Sequence, residues 1–161
     1  MGEGERGRIW LEKLLLLLGL PSTVEVDTSQ LEAEGSCWLI IDADQLSQGQ
    51  IQHLLGERGI VLDAIQYLAN TTLNLDCPED EQCAYTVELN GYRAQRQVEL
   101  QAIADEAVQQ VRASGEEFEI ASLSAAERRQ VHTFLKSFED IETQSRGREP
   151  DRRLVVRLRQ T

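Results

Sequence analysis

Two glycines three residues apart, Gly56 and Gly59, interrupt an otherwise continuous helical pattern, and this punctuation sets how the first half of the chain can fold. Before it, Ser47 with Gln50 three residues on has the form of a capping box that opens a short helix through Leu55. After it, Val61, Ala64, Ile65 and Leu68 recur at helical spacing to about Leu75. The chain must therefore turn sharply between two helices at Gly56-Glu57-Arg58-Gly59. Two glycines so placed let a backbone pass close to a sugar-phosphate chain, and the second helix offers its N–H groups and positive dipole end to a phosphate. The same spacing also suits a plain helix–helix corner that packs too closely for side chains.

Around this corner the pattern alternates between helix and strand. A helix from about Arg8 to Leu18 stops at Gly19, with Pro21 just beyond. Strand-like runs Thr23 to Thr28 and Ser36 to Asp42 follow, joined by a turn at Gly35. An acidic loop, Asp76 to Gln82, leads to a strand from Ala84 to Leu89. Gly91 then opens a long helix, whose Leu100, Ile103, Ala104, Ala107, Val108 and Val111 make one apolar stripe ending at Gly115. Beyond it come a short strand, Glu117 to Ala121, a helix opened by the capping box Ser124 to Glu127, and strand-like segments 141–145 and 154–158. The order predicts an α+β chain of two small domains with the long helix as connector, and 161 residues suffice for two such units.

Charge divides the chain unevenly. The whole carries 16 Lys plus Arg against 28 Asp plus Glu, a net of minus 12, which taken alone argues against nucleic acid, because phosphate binding is driven by basic residues displacing counterions. Residues 1–124 hold 7 basic and 22 acidic residues, whereas 125–161 hold 9 basic and 6 acidic, a net of plus 3. The closing run Arg146, Arg148, Arg152, Arg153, Arg157 and Arg159 supplies most of that charge as arginine, which can grip phosphate bidentately. The split predicts phosphate affinity concentrated in 125–161, with residues 1–124 giving shape and base contacts or meeting a protein partner.

Within the basic segment, Arg128 and His132 lie four apart on the capped helix and can address one anion. Val131, Phe134, Leu135 and Phe138 read as the buried stripe, which puts the pair on its flank, exposed enough to bind. Such a pair is also an ordinary boundary pair of an amphipathic helix.

Other chemistry is thin. Cys37, Cys77 and Cys83 are too few and scattered for a disulfide framework or a zinc site, which predicts reduced thiols and a cytoplasmic protein. The run Leu14 to Leu18 is too short to span a bilayer and lacks a cleavage site, so neither signal peptide nor membrane span is expected; it reads as one buried helix face plus flanks. Asp42 and Asp44 offer only two carboxylates and read as a turn rather than a metal site. His53 reads as a surface helix residue. No nucleophile–base set, phosphate-cradling Walker loop or dinucleotide fingerprint is present, so no enzyme, cofactor, metal or small-molecule substrate is expected.

The order helix, hairpin, helix, Gly-x-x-Gly, helix, strand resembles a KH domain of the prokaryotic kind, whose loop clamps single-stranded nucleic acid. The segments 56–70 (GERGIVLDAIQYLAN) and 90–96 (NGYRAQR) resemble those of the bacterial Jag family, also called KhpB or SpoIIIJ-associated. Arg128 to His132 resembles that family's Arg-x-x-x-His, or R-3-H, domain, and 143–156 (TQSRGREPDRRLVV) its closing segment. The resemblance implies a prokaryotic-type (type II) KH domain over 8–90 and an Arg-x-x-x-His domain over 91–161 that includes a connecting helix, 91–113. It places Gly56, Glu57, Arg58 and Gly59 at the nucleic-acid loop, and Arg128 and His132 in the phosphate-binding pair with Thr143, Ser145 and Arg152 beside them. It implies single-stranded RNA as ligand, a second small KH protein as partner, and a role as RNA chaperone or post-transcriptional regulator linked to cell envelope and division. Three departures stand out: Glu57 is acidic where family loops are usually basic, 42–55 is longer than the commonest form, and the chain begins at its KH domain without the extra N-terminal domain of many members. Glu57 and the acidity of 1–124 motivate the rival reading, a protein-interaction adaptor whose KH unit binds RNA weakly.

Overall fold

The computed structural model describes residues 2–29, 31 and 35–160. Backbone contacts separate them into two units, Met1–Arg93 and Ala94–Thr161.

In the first unit, helix α1 (Glu3–Leu17) precedes strands β1 (Val24–Asp27) and β2 (Ser36–Ile41), which pair antiparallel. Residues 30 and 32–34 of the turn between them lie outside the described residues. Helix α2 (Gln48–Leu55) follows with the expected reciprocal capping box between Ser47 and Gln50, then the loop, helix α3 (Ile60–Asn74) and strand β3 (Ala84–Leu89). The sheet order is β1-β2-β3, with β3 parallel to β2. Leu11, Leu15, Leu39, Leu62, Val87 and Leu89 form the core, closed by Tyr85.

Helix α1 begins five residues before the expected start because Gly7 lets it lie against the Tyr85 ring and Leu39, while the Tyr85 hydroxyl donates to the Glu3 carbonyl at 3.0 Å. Of the leucine run, Leu15 is fully buried and Leu14 partly, whereas Leu16, Leu17 and Leu18 face solvent. Helix α3 also differs from the expected stripe: Leu62, Ile65 and Ala69 are buried, and Ala64 and Leu68 are exposed. The rotation is set by three amides at four-residue spacing. Asn70 both donates to the Tyr85 carbonyl (2.7 Å) and accepts from its N–H (2.8 Å), Asn74 does the same for Cys83 (2.8 and 3.0 Å), and Gln66 accepts from Val87 N–H (3.0 Å). These side chains satisfy the open edge of β3 as a neighbouring strand would. Asp42 closes a turn, accepting from Asp44 N–H at 3.0 Å and Gln45 at 2.8 Å, as expected.

The second unit contains most of helix α4 (Tyr92–Ser114), strand β4 (Phe118–Ile120), helix α5 (Ala125–Leu135) and strands β5 (Ile141–Arg146) and β6 (Arg153–Leu158). The sheet is antiparallel with β6 central, in the order β4-β6-β5. Leu100, Ala104, Ala107, Val108 and Val111 of α4 are buried with Val131, Leu135, Leu154 and Val156, so from Leu100 onward α4 is part of this core rather than a bare connector. Ser124 and Glu127 form the expected capping box on α5.

A two-pronged pair fixes the end of α4: Arg112 donates to both Asp140 oxygens at 2.8 Å and lies over the Phe138 ring. The Arg112 hydrogen bond holds the Asp140 carboxyl below its ordinary range. The folded state thus binds that proton less readily than the unfolded one, so the stabilisation is complete above the unfolded value of about 3.9 and disappears as pH falls through the folded value. Asp140→Asn is expected to lower the melting temperature at pH 7 and to leave it unchanged near pH 2, read by circular dichroism.

Candidate nucleic-acid interface

The sequence-predicted residues fall at two places, one in each unit. In the first, Gly56 (φ 70°) and Gly59 (φ 75°) bracket a single tight turn in which Arg58 is also left-handed (φ 54°). The Glu57 side chain stands at the apex, 86% exposed and 3.8 Å from the half-exposed Arg58 guanidinium. No side chain caps the first turn of α3, where the Ile60 N–H donates to the Glu57 carbonyl. Gly59 is buried, and a Cβ built on it would lie 2.4 Å from the Tyr92 ring. Gly59 is therefore required by packing, as the helix–helix corner reading expects.

In the second unit, Arg128, His132, Thr143, Ser145 and Arg152 line one pocket of about 300 Å³. Strand alternation explains the share of β5: Thr143 and Ser145 fall two apart, opposite Val156 and Leu154, on the sheet face toward α5. The His132 Nδ1 is hydrogen-bonded to the Thr143 hydroxyl, which fixes the imidazole at the pocket wall. Arg152 is exposed on the loop that enters β6.

Arg128 departs from expectation. It is 5% exposed, because Arg128, Val131 and Leu135 share the inward face of α5. Its Nη1 donates to the Leu123 carbonyl at 2.7 Å and the Arg152 carbonyl at 3.3 Å, and its Nη2 donates to the Glu149 carboxylate. Arg129, next along the helix, is exposed, lines the pocket and has no ion-pair partner among the described residues. Sequence reasoning missed Arg129 and Glu149. The signals were an adjacent arginine and an acidic residue inside the basic closing segment.

The closing arginines are corrected as well. Arg146, Arg153 and Arg157 lie on the opposite sheet face, where Arg146 meets Glu117 at 2.9 Å, Arg153 meets Glu119 at 2.8 Å and Arg157 meets Glu142. Arg146 in turn keeps the Glu117 carboxyl below its ordinary range through their hydrogen bond. These three are spent on the glutamates, and Arg159 reaches the Ile141 carbonyl. The plus 3 of 125–161 is likewise not the charge of a folded unit. Residues 94–161 hold 11 basic and 12 acidic residues, a net of minus 1, and 1–93 hold 5 and 16, a net of minus 11. What is positive is the pocket rim, not the domain.

The pocket elements all lie within one recognisable segment. Residues 98–158 match the family model of the R-3-H domain. The match takes in α4 from Val98, all of β4, α5 and β5, and β6 to its end. Over longer stretches the chain is 23% identical to the RNA-binding protein KhpB of Clostridium symbiosum across 150 residues, 93% of this chain. It is 26% identical to the RNA-binding protein KhpB of Lactiplantibacillus plantarum across 142 residues, 88% of this chain. The matched stretches span 64% and 41% of the lengths of those two relatives. No described helix is long and apolar enough to cross a membrane, and the described residues hold no cluster of three metal-ligating side chains.

Proposed function

We propose that this chain is a non-enzymatic, single-stranded RNA-binding protein of the Jag/KhpB type, with a KH module over 8–90 and an Arg-x-x-x-His module over 91–161. The observation that carries the reading is the convergence of Arg128, His132, Thr143, Ser145 and Arg152 on one pocket inside the R-3-H match. Arg129 and Arg152 supply the accessible charge, Thr143 and Ser145 supply hydroxyl donors, and His132 completes the wall. The KH reading is supported by the element order α1-β1-β2-α2-loop-α3-β3 and by the tight turn at Gly56 to Gly59 that leads into α3, whose first turn has no side-chain cap. There the chain offers shape and backbone donors to RNA, with Glu57 lowering its phosphate affinity. Cytoplasmic RNA regulation as a chaperone or post-transcriptional regulator, and partnership with a second small KH protein, follow from the same reading.

Titration of a fluorescent 12-nucleotide oligouridine tests it. Raising salt from about 50 to about 200 mM is expected to weaken binding roughly tenfold, the change for two or three neutralised phosphates on a single strand. Arg129→Ala with Arg152→Ala should reduce affinity and lower the salt slope by about one to two, while Arg153→Ala should do neither. No binding at low salt would remove the RNA reading and favour the adaptor.

A further inference from the structure

Arg128 is the one buried cation among the described residues, and its ion-pair partner is not buried. Glu149 is 57% exposed, yet its carboxylate takes the Nη2 of Arg128 and forms part of the pocket wall. Every other charged or hydroxyl group singled out there, Arg129, Arg152, His132, Thr143 and Ser145, can donate a hydrogen bond. An acidic group in a wall of donors occupies the place an external anion would take. A guanidinium fork accepts a carboxylate or a phosphate in the same planar geometry, so one can replace the other. The exchange is one-sided: Arg128 cannot lose its partner without leaving a buried charge, whereas Glu149 can move into water.

We propose that Glu149 is a built-in stand-in for an RNA phosphate, occupying Arg128 in the free protein and yielding it to a phosphodiester on binding. The inference rests on the RNA reading above and deepens it, by naming the residue that sets the threshold for entry. A single phosphate must compete with a tethered carboxylate for Arg128. A strand that also engages Arg129 and Arg152 gains contacts that the carboxylate cannot match. The pocket therefore favours an oligonucleotide over inorganic phosphate or a mononucleotide.

Glu149→Gln keeps a hydrogen-bond acceptor for Arg128 and removes the competing charge. This variant is expected to bind the 12-nucleotide oligouridine about three- to tenfold more tightly at low salt, with a salt slope about one unit steeper. Millimolar inorganic phosphate should raise its melting temperature and leave that of the unaltered protein unchanged. Equal or weaker oligouridine binding, with no response to phosphate, would overturn the proposal and make Glu149 a structural clasp. Should the variant not fold, guanidinium NMR of the unaltered protein decides: the Arg128 Nη signals must shift when oligouridine saturates it, and unmoved signals overturn the proposal. If oligouridine binding depends on Arg129 and Arg152 but does not gain from Glu149→Gln, this inference fails and the RNA reading stands. If neither protein binds oligouridine, the RNA reading itself fails.

Discussion

Gly59→Ala is expected to destabilise the first unit by about 2–5 kcal/mol, the sum of two costs acting together. At φ 75° an alanine sits in the left-handed region, which costs about 1–2 kcal/mol relative to glycine. Its Cβ would also lie 2.4 Å from one Tyr92 ring carbon and 2.6 Å from the hydroxyl oxygen. Tyr92 packs against the first core, so the ring cannot swing clear without surrendering that packing, and such overpacking costs about 1–3 kcal/mol. Gly19→Ala separates the two. Gly19 has nearly the same angle, φ 74°, but open space where its Cβ would go. It should lose only the conformational share, about 1–2 kcal/mol. Urea unfolding of both variants reads the difference, and equal losses would show that the Tyr92 contact contributes nothing.

Where local chemistry decides, the sequence is easy to read. Both capping boxes, the bounds of β3 and α4, and the buried stripe of α4 follow from short-range patterns that few alternatives satisfy. Where a helix is apolar around more than half its girth, periodicity names the helix but not its rotation. Helix α3 turns on Gln66, Asn70 and Asn74, polar residues whose backbone partners on β3 and just before it lie 9 to 21 positions away. Glycine misleads in the other direction at α1, where Gly2, Gly4 and Gly7 discourage a helix that tertiary contact with Tyr85 then sustains.

The same division runs through the site. Thr143, Ser145, Arg152 and His132 could be selected by motif resemblance, and the structure brings them to one pocket. The direction of Arg128 could not be selected, because 128/131/135 and 131/134/138 are both acceptable helical stripes, and only the fold chooses between them. Nor could the sequence show which arginines remain available. Arg146, Arg153 and Arg157 are neutralised by Glu117, Glu119 and Glu142, partners up to 34 positions distant along the chain. Net charge over a stretch of sequence therefore overstated the basic surface of the C-terminal segment.

Arg128→Ala is expected to cost the second unit about 2–4 kcal/mol and to reduce oligouridine affinity by more than Arg153→Ala does. The ion pair is not the main source of the loss. Glu149 is already half in water and can be solvated once its partner is gone, so the usual penalty for stranding a buried charge does not apply to it. The loss comes from the two carbonyls of Leu123 and Arg152, which give up their donor, and from the cavity left in the inward face of α5. An unsatisfied buried polar group costs about 1–3 kcal/mol, and the entry of water would hold the sum of two near the lower part of that doubled range. The Arg152 carbonyl also ties the chain entering β6 to α5, so its release loosens the very residue that carries accessible charge to the pocket. Arg128→Lys should recover part of the stability, since an ammonium can satisfy one carbonyl, but it lacks the fork that spans both backbone acceptors and Glu149. Thermal unfolding and oligouridine titration of the two variants measure this directly. Full recovery by lysine would show that charge alone, not the planar geometry of the guanidinium, holds the pocket together.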